Sequence, residues 1–291
     1  MRKSITGKTQ LLTLMGYPIR HTNSPVMHNK ALEYLGLPYA YLCFEVDNDN
    51  LQSAIQAMKT LKVRGGNITM PNKIAVMQYM DHISEEAEMC GAVNTVVNDD
   101  GVLTGHITDG QGYLRALEDF GADYRGKKIT IVGAGGVGKT MQVALARAGA
   151  AELSVFNIHD KFWNRAEDAV DMINRRTDCK AKLYDLEDLD ALKREIHDSY
   201  IVANATGMGM KPHEGKTYIP DASYFRPGMI VTDVVYSPTE TEFLRIAREA
   251  GCKTMNGLSM MLFQGAASFK LWTGEDMPIE HLKEFLGIKY L

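Results

Sequence analysis

The sequence predicts an α/β fold with largely parallel sheets, divided into two domains. Three observations lead there. Short apolar runs alternate with stretches of helical periodicity along the whole chain. The 291 residues exceed what one domain of about 100–200 residues usually holds. Near the middle, an apolar run, a glycine-rich turn, a helical stretch and a second apolar run succeed one another within about thirty residues, the order of a βαβ unit.

Taken in order, Leu11–Met15 is an apolar run ended by Gly16. The helix after it is expected near Pro25, whose fixed φ suits a first helical position, with Ser24 as N-cap. Tyr39–Val46 carries aromatic and β-branched residues, and a helical pattern opens near Leu51. Val63–Thr69 is followed by Pro71, which reads as a second helix start and puts Lys73 in its first turn. Val93–Val97 comes next, then a helix near Gly110 that Asp109 is placed to cap. Ile129–Val132 reads as a buried strand, Val137 onward as a helix offering Val143, Ala144, Leu145 and Ala148 for packing, and Leu153–Phe156 as the next strand. A helix near Phe162, strands at Ile201–Ala203 and Ile230–Val234, and helices near Thr239 and Leu258 complete the pattern. The weakest stretches for packing, Asp99-Asp100-Gly101 and Thr108-Asp109-Gly110, mark the expected hinge, with Asn256-Gly257 as a second.

Composition narrows the function. With 23% charged residues and a net charge of -4, the chain has no electrostatic footprint for nucleic acid or an anionic membrane surface. No apolar run approaches a membrane span, and Met1-Arg-Lys-Ser precedes no apolar signal core. Cys43, Cys90, Cys179 and Cys252 are scattered without metal-ligand spacing, and His21 and His28 lack metal partners, so no metal site is expected. These features read as a reduced, soluble, cytoplasmic protein.

The stretch GAGGVGKT, residues 133–140, fits two patterns. Gly133 and Gly138-Lys139-Thr140 spell a phosphotransferase P-loop, whereas Gly133, Gly135 and Gly138 spell the G-x-G-x-x-G of a dinucleotide-binding fold. Both need a strand before and a helix after. The residues beyond that helix favour the dinucleotide reading: a second strand arrives at once, and Asp160 lies about twenty residues beyond Gly138, where an acid meets the ribose hydroxyl. In that reading Gly133 makes the tight turn, Gly135 lets the backbone approach a pyrophosphate, Gly138 allows close helix–strand packing, and the helix N-terminus offers N–H groups. Met229–Asp233, an apolar run ending in a carboxylate, keeps the P-loop alternative open.

Before the glycine loop, other residues carry chemistry. Thr22 and Ser24 put two hydroxyls before a helix, where the helix field favours a carboxylate. Capping alone would also explain Ser24, as it would Asp109. A cation in a first helical turn is disfavoured, and a lone Lys there is ordinarily a solvated surface residue.

The combination is more specific than its parts. GYPIRHTNSP, GNITMPNK, GAVNTVVN, GHITDGQG, the glycine loop, VVYSPTETEFL and NGLSMMLFQGA occur in order between about residues 14 and 267. In this the chain resembles the shikimate dehydrogenase family, especially its quinate/shikimate dehydrogenase branch. The resemblance implies a substrate-binding α/β domain over residues 1–108, a Rossmann-type doubly wound dinucleotide domain over 109–257, and C-terminal helices over 258–291 returning to the first domain, with the active site in the cleft between domains. It implies NAD(P)-dependent oxidation of the 3-hydroxyl of shikimate or quinate by a monomer or homodimer. A strict biosynthetic shikimate dehydrogenase is the neighbouring alternative.

By the same match, Lys73 and Asp109 are the catalytic pair. Lys73 takes the carbinol proton or, staying protonated, stabilises the developing charge. Thr22, Ser24, Tyr41, Thr69, Asn94, Tyr236 and Gln264 would surround the polyhydroxy carboxylate. Gly133, Ala134, Gly135, Gly136 and Val137 would hold the dinucleotide phosphates, Asn157, Ile158, His159 and Asp160 its adenosine end, and Asn204, Ala205, Thr206, Val234 and Gly257 the remainder. Two departures stand out: Thr22 replaces a frequent Ser and Ile107 a usual Asn. NADP-using members follow the second strand with Asn-Arg-Thr, whereas this chain has Asn157-Ile158-His159-Asp160, which predicts NAD in preference to NADP.

Overall fold

The computed structural model describes residues 5–20, 22–161 and 163–288; His21, one of the histidines considered above, lies outside them, as does Phe162. The chain divides into two compact units, the first comprising residues up to Thr108 together with Leu262–Ile288, the second Asp109–Met261. The predicted α/β class is observed in both.

The first unit holds a six-stranded mixed sheet. Its strands are β1 (Gln10–Gly16), β2 (Tyr39–Glu45), β3 (Gly65–Ile68), β4 (His82–Ile83), β5 (Thr95–Asp99) and β6 (Val102–His106), in the spatial order β2-β1-β3-β5-β6-β4. β1 pairs in parallel with β2 and β3, while β5 runs antiparallel to β3 and β6. α1 (Ser24–Leu35), α2 (Leu51–Thr60) and α3 (Glu85–Cys90) belong to this unit. Leu12, Leu14, Met27, Tyr41, Phe269 and Trp272 lie in its buried core.

The second unit is a fully parallel sheet of β7 (Lys128–Val132), β8 (Glu152–Asn157), β9 (Lys180–Asp185), β10 (Ile201–Asn204), β11 (Ile230–Asp233) and β12 (Lys253–Met255) in the order β12-β11-β10-β7-β8-β9. The order reverses between β10 and β7, the switch point at which doubly wound sheets bind ligands. Its helices are α4 (Asp109–Asp119), α5 (Gly136–Arg147), α6 (Trp163–Arg176), α7 (Leu189–Asp198) and α8 (Glu242–Glu249). α9 (Leu258–Thr273) contains the boundary between the units, and α10 (Ile279–Leu286) comes after it. No helix among the described residues is long and apolar enough to cross a membrane.

Several elements were not anticipated. β4, β6, β9 and β12 alternate polar and apolar residues or are very short, so a search for apolar runs passes over them. Two of the four outer strands, β2 and β9, have a blocked edge. Asn29 of α1 donates to the Tyr41 carbonyl (2.8 Å) and accepts from its N–H (3.0 Å) on β2. Asn174 of α6 does the same for Ala181 on β9, at 2.9 and 2.8 Å. Each amide occupies a backbone pair that another strand would need.

Pro71 does not open an α-helix. Residues 70–74 form turns and a 3₁₀ segment is found at Ala75–Tyr79. The cause is non-local: the Lys73 carbonyl, which a helix would use, accepts from Val93 N (2.8 Å), and Asn72 Nδ2 is drawn to the Val46 carbonyl (2.8 Å). Lys73 is therefore not in a first α-helical turn, and the unfavourable helix field expected there does not arise.

Candidate active site

In the first unit, backbone bonds gather the turns beyond the strand ends. Tyr17 N donates to the Met70 carbonyl and Thr69 N to Met15, both at 2.9 Å, so the segment after β1 is stitched to the turn after β3. Ile68 N donates to the Asn94 carbonyl (2.8 Å), which, with the Val93–Lys73 bond, fixes the same turn to the segment before β5. Thr69, Lys73 and Asn94 thus share one neighbourhood, with Gly16 and Tyr17 beside it. Thr69 and Lys73 are half-buried.

Ser24 does not cap α1 as expected. The N-cap is Asn23, without a side-chain bond, and Pro25 occupies the first turn. Thr22 Oγ1 instead donates to Ser24 Oγ (3.1 Å) and accepts from Ser24 N (3.2 Å). Two adjoining, half-buried hydroxyls are held at the positive end of a twelve-residue helix.

Tyr41 lies in the core. It is completely buried, stacked on His28 at 4.4 Å, and its hydroxyl donates to Asn67 Oδ1 (2.8 Å). Burial pushes the phenol well above its ordinary range. Through its hydrogen bond the phenol orients Asn67. Asn94 is also buried: its Oδ1 accepts from Thr108 N and Thr95 Oγ1, both at 2.9 Å. Gln264, half-buried on α9, accepts through its carbonyl from Ser268 Oγ (3.1 Å). Ser268 in turn meets Asn67 Nδ2 (3.1 Å) and Thr95 Oγ1 (2.7 Å). Asn67 and Ser268 were not singled out from the sequence; Asn67 lies inside GNITMPNK, and a serine one turn from Gln264 in a largely apolar helix was the available signal.

In the second unit the glycine loop joins β7 to α5. Gly133 has φ +107°, a conformation that favours glycine, and a Cβ at Gly138 would collide with the Gly133 carbonyl oxygen. Side chains at Gly135 or Gly136 would meet nothing within 4 Å, so packing does not require glycine there, whereas close approach of a ligand would. Gly135 is the N-cap and has no side chain with which to satisfy the first-turn N–H groups. This cradle fits a pyrophosphate. Thr140 is buried and its hydroxyl donates to the Val137 carbonyl (2.7 Å), turned into its own helix rather than toward a magnesium ion.

Asn157 Oδ1 accepts from Ala134 N (3.0 Å), so this residue tethers the glycine loop. Ile158 (42% exposed), His159 and Asp160 continue along the surface, with His159 stacked on Trp163 at 4.4 Å. The Asn204 and Ala205 side chains are buried, leaving Thr206 and Val234 half-buried. Gly257 packs so tightly that a Cβ would strike the Val234 carbonyl. Tyr236 is 40% exposed, and Asp109 is the first residue of α4 rather than a cap before it.

The shikimate dehydrogenase (NADP(+)) of Listeria monocytogenes serotype 4b is 53% identical over 282 residues, 97% of each chain. The chain belongs to the shikimate dehydrogenase family. As a member of the shikimate dehydrogenases it is an oxidoreductase. Residues 14–96 match the shikimate dehydrogenase substrate binding domain and residues 257–284 the shikimate 5'-dehydrogenase C-terminal domain. The quinate/shikimate dehydrogenase of Escherichia coli (strain SMS-3-5 / SECEC) is 44% identical, over 98% of this chain and 99% of its own. The crystal structure of shikimate 5-dehydrogenase from Listeria monocytogenes in complex with shikimate and NAD superposes with a TM-score of 0.96 at 52% identity, covering 98% of this chain and 99% of that one. Ile107, one of the two departures noted above, is 4% exposed and belongs to the core.

Proposed function

We propose that the protein interconverts shikimate and 3-dehydroshikimate, and quinate and 3-dehydroquinate, by NAD(P)-linked hydride transfer at the 3-hydroxyl. The observation that carries this reading is the stitching of the segment after β1 to the turn bearing Thr69 and Lys73 through Tyr17 N and the Met70 carbonyl, with the Thr22–Ser24 hydroxyl pair following at the head of α1. A cyclic polyhydroxy carboxylate needs a partner for its anion, partners for its hydroxyls and a group that manages the carbinol proton, and the pair, Thr69 and Lys73 are chemically matched to those needs. The dinucleotide, when bound, supplies the hydride acceptor. The cradle of Gly133–Val137 would hold its phosphates, and Lys73, with Asp109 assigned beside it by the family motif, handles the proton lost from the carbinol oxygen.

For the cofactor, the reading is NAD in preference to NADP. Ile158 cannot donate to a 2′-phosphate, and the carboxylate of Asp160 accepts from a ribose hydroxyl but repels a phosphate. A partly solvated like-charge contact costs on the order of 1–3 kcal/mol, which is roughly ten- to a hundredfold in kcat/KM. The name of the Listeria relative favours a second reading, an NADP-linked shikimate dehydrogenase. Following reduced-nicotinamide absorbance with shikimate or quinate crossed against NAD or NADP decides between them. Turnover of shikimate with neither dinucleotide refutes the assignment, and better turnover with NADP selects the second reading.

A further inference from the structure

Asp233 ends β11 beside Asn204, its register partner at the end of β10. It is buried, 3% exposed, yet three donors from three segments converge on its carboxylate. Thr241 Oγ1 donates to Oδ2 at 2.6 Å, and Asn204 Nδ2 and Val235 N donate to Oδ1 at 2.9 Å. Burial pushes the carboxyl up to about 6 against the pull of those donors, so the carboxylate is the form present at neutral pH.

An ionised carboxylate only accepts. It therefore selects one orientation of the Asn204 amide, with Nδ2 toward Asp233 and Oδ1 facing away. That Oδ1 accepts from Thr206 N (3.1 Å) and Thr206 Oγ1 (2.7 Å), and Thr206 Oγ1 accepts from Met208 N (3.1 Å). A flipped amide would set donor against donor at Thr206. On the other side, Thr241 spends its proton on Asp233 and its lone pair on Leu244 N, capping α8 (3.3 Å). Val235, held by Asp233, accepts from Gly257 N through its carbonyl (3.0 Å).

We infer that Asp233 is a positioning residue of the dinucleotide site, its charge fixing the orientation of Asn204 and thereby the course of Thr206, Val234 and Gly257. This rests on the assignment of those three residues to the cofactor under the proposed function. Titration calorimetry of the full chain with NAD tests it in Asp233→Asn, Thr241→Val and Thr241→Ser. The expected result is a Kd raised about tenfold in Asp233→Asn and Thr241→Val at unchanged binding stoichiometry, with wild-type Kd in Thr241→Ser, which keeps the hydroxyl. A purely structural role would instead lower the stoichiometry, through unfolded protein, and leave Kd alone. Wild-type Kd in both Asp233→Asn and Thr241→Val overturns the inference, and Thr241→Val decides by the same criterion if Asp233→Asn does not fold. A wild type that binds no NAD overturns it together with the cofactor assignment. A wild type that binds NAD without oxidising shikimate overturns the proposed reaction only, and Asp233 is still judged on Kd.

Discussion

His28 lies on α1 with both ring nitrogens buried and unpartnered among the described residues, enclosed by Tyr41, Phe269 and Trp272 at 4.4, 6.3 and 5.4 Å. Burial pushes the imidazole down from 6.5 to about 3. The folded protein keeps it neutral, whereas the unfolded chain binds a proton below about pH 6.5. Between those two values unfolding takes up one proton, so stability falls as pH falls, by about 1.4 kcal/mol per unit. Going from about pH 8 to about pH 5 should cost about 2 kcal/mol through this group alone. His28→Leu, close in volume and without polar atoms, removes the titration. Other groups titrate in the same window but are common to both proteins, so the difference between their urea unfolding curves isolates His28. The stability gap, whatever its sign near pH 8, should move by about 2 kcal/mol in favour of His28→Leu by about pH 5. A gap constant to within about 0.5 kcal/mol would show that the imidazole is not held neutral, and the reasoning from burial would fall with it.

Lys73→Ala should lower kcat by about 10²–10⁴ with little change in dinucleotide affinity, and near-normal turnover would return Lys73 to the role of a surface residue. Ile158→Arg combined with Asp160→Ser should narrow or invert the ratio of kcat/KM for NAD over NADP; an unchanged ratio would mean that neither residue faces the ribose. Gly138→Ala forces a Cβ against the Gly133 carbonyl and should weaken dinucleotide binding while leaving the melting of the first unit unaltered, as read by calorimetry.

Much of the fold was legible because buried parallel strands announce themselves as apolar runs. β1, β7, β8, β10 and β11 were anticipated to within one or two residues. Strands with a polar face, such as β9, lack that signal, as does the polar helix α7. For the candidate site, the residue types were visible but their use was not. Tyr41 was named through the family resemblance, and only the fold shows that its hydroxyl faces Asn67 in the core. Asp233 stood out only as the carboxylate ending the apolar run of the P-loop alternative, because Asn204 and Thr241, two of its three donors, come from other segments.

Pattern and local chemistry were enough to establish the α/β class, the strand–glycine loop–helix arrangement and the placement of two hydroxyls at the start of α1, since each depends on neighbours in the chain. Tertiary structure alone decided where individual hydrogen-bonding groups are spent. Val93 claims the Lys73 carbonyl and prevents a helix after Pro71; Ala134 N claims Asn157 Oδ1 and ties it to the glycine loop; Asp233 takes a hydrogen bond from Asn204 Nδ2. A buried donor or acceptor left unpaired costs about 1–3 kcal/mol, more than most local preferences are worth, so partners brought close by folding override the conformations those preferences favour.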